Sequence, residues 1–154
     1  MIEKQLQELG IELPAAPRPV ASYVPSVEAG SLLFISGQLP FRDGALLHVG
    51  KVPAQVSVEA AQEAARQCVF NALAVARDQL TTLDRVARVV RLSGYVASSP
   101  DFYQHPAVIN GASDLLEAIF GASGKHSRIA VGVASLPLNA PVELDLILLI
   151  KNAA

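Results

Sequence analysis

Gly124-Lys125-His126-Ser127-Arg128-Ile129-Ala130-Val131-Gly132-Val133 and, after a loop containing Pro137 and Pro141, Val142-Glu143-Leu144-Asp145-Leu146-Ile147-Leu148-Leu149-Ile150 decide how this chain is read. Both are short apolar runs of strand length. The second is apolar at consecutive positions from Ile147, as expected of a strand covered on both faces. Both carry charges where charge is costly, and two of these stand near the starts of the strands. Arg128 sits at the head of the first strand and Glu143 near the start of the second. An arginine placed there must find an anion or stay in water, and its planar fork suits a small carboxylate held by two hydrogen bonds. Arg128 and Glu143 are therefore the candidate functional pair.

Working outward, Pro106 to Phe120 reads as a long helix with Val108, Ala112, Leu115, Leu116 and Ile119 as its inner stripe, ended by Gly121 to Gly124. Before it, Arg85 to Val96 is valine-rich and reads as a strand. On an uninterrupted strand, alternation puts Arg85 and Arg91 on one face and Arg88 on the other. Ser57 to Thr81 is the clearest helix. Ser57 is its N-cap, Glu59 suits the positive end of its dipole, and Ala61, Ala65, Cys68, Ala72, Val75 or Ala76, and Leu80 form its stripe. That stripe is small-sided, so the helix is expected to approach a sheet closely.

Towards the N-terminus, Asp43-Gly44 is a hairpin signal between Leu39-Pro40-Phe41 and Ala45-Leu46-Leu47. Ser31 to Gln38 and Val20 to Val27 read as strands, the latter an edge or bulged strand because of Pro25. Pro14 to Pro19 is an extended connector. Ile2 to Leu9 is a short amphipathic helix with Ile2, Leu6 and Leu9 on one face, stopped by Gly10.

This order gives an α+β fold, a two-layer sandwich in which two long helices cover one face of a mixed β-sheet of five or six strands. Residues 1–154 are expected to form one domain, with its core at about 20–150. Leu32 to Ile35 and Leu144 to Ile150 are apolar on both faces, yet no segment is left to cover the second one. A homo-oligomer that buries the open face is the expected solution.

Composition narrows the function classes. The formal charge is −2 and only 5% of residues are aromatic, so neither a basic stripe nor base-stacking platforms are expected, which argues against nucleic acid as a partner. No apolar run reaches membrane-span length, and Met1 to Gln5 shows no secretory h-region. Cys68 is the one cysteine, too few for an internal disulfide, which fits a cytoplasmic protein. His48, His105 and His126 lack metal-ligand spacing, so no metal is expected. Cys68 is expected to pack as a small hydrophobe and His126 to be a solvent-facing loop residue.

Two sets of residues carry a resemblance. Tyr23, then Glu28-Ala-Gly-Ser31 and Ile35-Ser36-Gly37-Gln38-Leu39-Pro40, are similar to the N-terminal signature of the YjgF/RidA family. Gly124 to Pro137 with Pro141-Val142-Glu143-Leu-Asp145 resembles its C-terminal signature. Gly94 to Phe102 and Val108 to Leu116 resemble the longer YjgF/chorismate-mutase-like branch, often labelled an endoribonuclease. The resemblance implies the chorismate-mutase-like fold, a homotrimer with clefts between subunits, and hydrolysis of reactive 2-imino acids to 2-keto acids and ammonia without a metal or organic cofactor. A non-catalytic binder of small carboxylates or keto acids, and the endoribonuclease of the label, are the alternatives.

The resemblance also implies roles. Arg128 matches the residue that grips the substrate carboxylate, and Glu143 matches the one that handles the attacking water. Tyr23, Ser36 and Gly37 match cleft-lining positions. Gly37 can expose its backbone closely to a ligand, or mark a bulge. Asn110 corresponds loosely to a family asparagine, and an N-cap or turn role is the competing reading. Deaminase members often carry a cysteine two residues after the arginine. Here that position is Ala130, so a more apolar cleft is expected.

Overall fold

The computed structural model describes residues 1–19 and 21–151. Its elements are helix α1 (Ile2–Glu8), strands β1 (Ser26–Ala29), β2 (Leu32–Gln38), β3 (Phe41–Arg42) and β4 (Ala45–Leu46), helix α2 (Val58–Leu80), strand β5 (Val86–Ala97), helix α3 (His105–Phe120), and strands β6 (Ser127–Val133) and β7 (Val142–Ile150). Five strands form one mixed sheet in the order β1-β2-β7-β5-β6, antiparallel except for the β5–β6 pair. β3 and β4 form a separate hairpin. Its Asp43-Gly44 turn has positive φ at both residues, the geometry this dipeptide favours. The architecture is the expected α+β one.

α2 forms where the small-sided stripe predicts it. Ser57 caps it, with Oγ accepting from the Ala60 amide at 3.1 Å. Ala61, Ala65, Cys68, Ala72 and Ala76 are fully buried, which lets the helix lie close against the sheet. β7 alternates without a break. Val142, Leu144, Leu146, Leu148 and Ile150 are buried, while Glu143, Asp145, Ile147 and Leu149 are partly exposed on the opposite face. Each fully buried leucine there contributes about 2–3 kcal/mol. The open face carries exposed Val27, Phe34 and Ile129 beside half-buried Ile147 and Leu149. It is an apolar surface with no cover among the described residues.

Four expectations need correction. The first strand begins at Ser26, not at 20. Residues 21–25 turn instead, and the Pro25 carbonyl accepts the Ser36 amide at 3.0 Å (Val20 lies outside the described residues). Leu9 caps α1 and is 43% exposed rather than sharing the buried face of Leu6. Arg85 ends a 3-10 turn before β5. Two register shifts in β5 then bring Arg88 opposite Leu149 and Arg91 opposite Ile147, so both arginines lie on the open face. Each shift inserts a residue and undoes the simple alternation.

Candidate functional site

Glu143 occupies a pocket at one end of the sheet. The register between β2 and β7 breaks between Ile35 and Gln38, so Ser36-Gly37 forms a bulge. A Cβ on Gly37 would collide with the Glu143 carboxylate, which packs directly on the glycine backbone. The bulge and the close approach are thus one feature. Burial pushes the Glu143 carboxyl up from its ordinary range, and the charge of Asp145, two residues along the same face, adds to the rise. Asp145 is raised too, chiefly by burial, against the opposing effects of a Ser93 hydrogen bond and the charge of Arg91.

The pocket holds about 400 Å3. Tyr23, the Pro17-Arg18-Pro19 connector, Leu39, Phe41 and Leu138 line it. Ser36 helps to place Tyr23, because its hydroxyl donates to the Val24 carbonyl at 2.7 Å. Its role is to tie the connector to β2. The β3 wall is tied to α2 by buried Asn71, whose Nδ2 donates to the Leu39 and Phe41 carbonyls at 3.0 Å each. Gln67 in turn donates to Asn71 Oδ1 at 3.2 Å.

Arg128 is elsewhere. Its neighbour on β5 is Leu92, which also pairs with Leu146, whereas Glu143 pairs with Tyr95, which pairs with Val131. Leu92 and Leu146 are buried on the helix-covered face, so Arg128 and Glu143 lie on opposite faces of one sheet with β5 between their strands. Arg128 lies along α3. Nη1 donates to Ser113 Oγ at 3.0 Å and Nη2 to the Pro106 carbonyl at 3.3 Å. Ser113 Oγ is 2.9 Å from His126 Nε2, and His126 Nδ1 meets the Gly124 carbonyl. Proton counting fixes the roles. The Gly124 carbonyl can only accept, so Nδ1–H donates to it; in the neutral ring Nε2 then accepts the Ser113 hydroxyl proton, while Ser113 Oγ accepts from Arg128. His126 is therefore a partly buried prop for Arg128, not the expected solvent-facing loop residue.

Asn110 is in the interior of α3, which overturns the N-cap or turn reading: Gln104 precedes the helix and Pro106 occupies its first turn. It is exposed, and at helical spacing it shares a face with Pro106 and Ser113, the two partners of Arg128. The candidate residues thus fall into two separate groups. One carries Glu143, Gly37 and Tyr23. The other carries Arg128, with Ser113, His126 and Asn110 on its flank. Cys68 belongs to neither: it is fully buried, and burial and then Glu143 push its thiol well up, so it stays protonated as a small core residue.

Sequence reasoning missed Asn71, Ser113, Arg18 and Leu138. Gln67 and Asn71 flank the alanine stripe at a spacing of four, which was a readable sign of a buried polar pair. The pocket walls had no such sign, because they come from three distant segments.

The family profile described as "YjgF/chorismate_mutase-like, putative endoribonuclease" matches residues 3–151. The chain belongs to this family. It is similar to Protein TCP17 of Trypanosoma cruzi, with 44% identity over 98% of this chain and 95% of that protein. A crystal structure from Shewanella oneidensis MR-1 with the same endoribonuclease label is 33% identical, covers 97% of this chain and 99% of its own, and superposes with a TM-score of 0.93. A 2-iminobutanoate/2-iminopropanoate deaminase of Dermatophagoides farinae is 27% identical over 92% of this chain and 95% of its own.

Proposed function

We propose that this protein hydrolyses 2-imino acids to 2-keto acids and ammonia at clefts between the subunits of a homotrimer. The observation that carries the reading is the half-buried Glu143 carboxylate, held against Gly37 in an apolar pocket with its pKa raised. Such a carboxylate is basic enough to take a proton from water and to return it. Water attacks C2 of the imine as Glu143 removes its proton. A proton is delivered to the imine nitrogen, giving the neutral carbinolamine; its C–N bond then breaks as a second proton passes to nitrogen and the hydroxyl proton is taken up by the carboxylate, releasing ammonia and leaving the ketone.

Arg128 supplies the carboxylate anchor. Two of its five N–H groups are committed to α3, which leaves three for the ligand. It reaches Glu143 only from a second copy, because the two lie on opposite faces of one sheet. The exposed apolar face gives the copies a reason to associate. The deaminase named among the relatives supports the same chemistry.

The test is ammonia release from 2-imino acids generated in situ by an amino-acid oxidase. The protein is expected to accelerate it and Arg128→Ala to abolish the acceleration. Tight binding of 2-keto acids with no turnover would identify a carboxylate binder instead.

A further inference from the structure

The pocket beside Glu143 is much larger than the reacting atoms require. A three-carbon imino acid has six heavy atoms and fills roughly 100–150 Å3, given a water's share of about 30 Å3. The pocket holds about 400 Å3. Its lining includes the apolar side chains of Pro25, Leu39, Phe41 and Leu138, surface that a small acid cannot cover in full.

Leu138 is the telling residue. It has φ 56 and ψ 22, and Asn139 beside it has φ 59. A leucine held in the left-handed region is strained, because its Cβ crowds the backbone there. Its side chain recovers little of that in the folded chain, being 66% exposed. The turn is nevertheless fixed: the Asn139 carbonyl accepts from the Gly50 amide at 2.8 Å, and the Ala140 amide donates to Pro137 at 3.1 Å. A strained, exposed leucine at the edge of an apolar pocket contributes nothing to the core, but it provides contact area for a ligand. Phe41, also in the pocket lining, is held by Asn71 through its backbone carbonyl, so the strand that carries it is fixed.

Resting on the deaminase reading above, we infer that the site selects 2-imino acids with a large apolar side chain, branched or aromatic, over the three-carbon acid. Leu138 and Phe41 set that selection. The ligand's reacting carbon lies at Glu143 and its side chain extends towards the proline connector. Arg18 borders the same pocket, so a dicarboxylic acid is the natural competitor.

The experiment compares kcat/KM for imino acids generated from alanine, leucine, phenylalanine and glutamate, together with calorimetric binding of the matching 2-keto acids. The leucine and phenylalanine substrates are expected to exceed the alanine one by about tenfold or more, since each added methylene in an apolar pocket gains at least that. Phe41→Ala and Leu138→Gly are expected to shrink the ratio several-fold. Leu138→Gly should do so without lowering Tm, because glycine is at ease at this φ. A preference for the three-carbon or dicarboxylic acid, or a ratio unmoved in both variants, would overturn the inference. Keto acids binding in the expected size order without any turnover would keep the size selection and remove the deaminase reading. If no acid binds, both are wrong.

Discussion

Arg128 and Glu143 lie on opposite faces of the same sheet: Arg128 is in register with buried Leu92 on the helix side, and Glu143 with Tyr95 on the open side. A protomer therefore cannot bring its own anchor to its own base. On the proposed reading the site is completed by association, and the apolar open face is where association is expected. Phe34 is central on that face, paired with Ile147 and 41% exposed. Phe34→Glu is expected to leave the fold intact, since the position is a surface one in the protomer, and to yield monomers by sedimentation velocity with loss of turnover.

The pH dependence follows from the Glu143 carboxyl. Its folded pKa lies above its unfolded one, so it works as a base only above that raised value, and kcat/KM should fall on an acid limb displaced upward from the ordinary glutamate range. Asp145→Asn removes the neighbouring charge, the second cause of the rise, and should move the limb to lower pH. For stability the sign is reversed. A carboxyl raised on folding favours the native state below its unfolded pKa and loses that contribution as pH rises through the folded one. At neutral pH, Glu143→Gln should therefore raise Tm while turnover is lost, and thermal unfolding beside the activity assay checks both.

Gly37 should be intolerant of the smallest change. The Cβ of Gly37→Ala would take the space held by the Glu143 carboxylate, which must then move. A displacement on the order of 1 Å at a reacting group costs about 100-fold in rate. The expected result is a fall of that order in kcat with far-UV circular dichroism unchanged.

Ser113 holds Arg128 through the hydroxyl that also serves His126. Ser113→Ala removes a hydrogen bond to a charged group, about 1.5 kcal/mol. It should raise KM about tenfold with a smaller effect on kcat, and Ser113→Thr should restore part of the loss. Adding Ser113→Ala to Arg128→Ala should have no further effect on carboxylate binding, as checked by a double-mutant cycle.

The layers were legible because the periodicities are clean. The alanine and cysteine spacing of α2 has one solution, and so does the apolar run of β7, with Glu143 and Asp145 alternating against its buried side chains. The open sheet face could be read as well, since the two long helices go to one face and no other long helix is left among the described residues to cover the second. Bulges defeated the rest. The inserted residues in β5 carry no composition signal, yet they turn Arg88 to the face of Arg91. The distance between Arg128 and Glu143 was equally hidden, because both head strands in the sequence and only the β7-β5-β6 order separates them. Asn110 lost its N-cap reading because α3 begins at His105, with Pro106 fixing the first turn.

Mixing two inactive subunits tests the shared site most directly. Arg128→Ala keeps the base and loses the anchor, and Glu143→Gln keeps the anchor and loses the base. Refolded or co-expressed together at equal amounts, they are expected to form mixed oligomers; in the proposed trimer about one quarter of the clefts would join an intact Arg128 to an intact Glu143 from different chains. Imino-acid hydrolysis is predicted to return to about that fraction of the wild-type rate, whereas each variant alone stays inactive. Mixed trimers that form and remain as inactive as either parent would contradict an active site built from two copies.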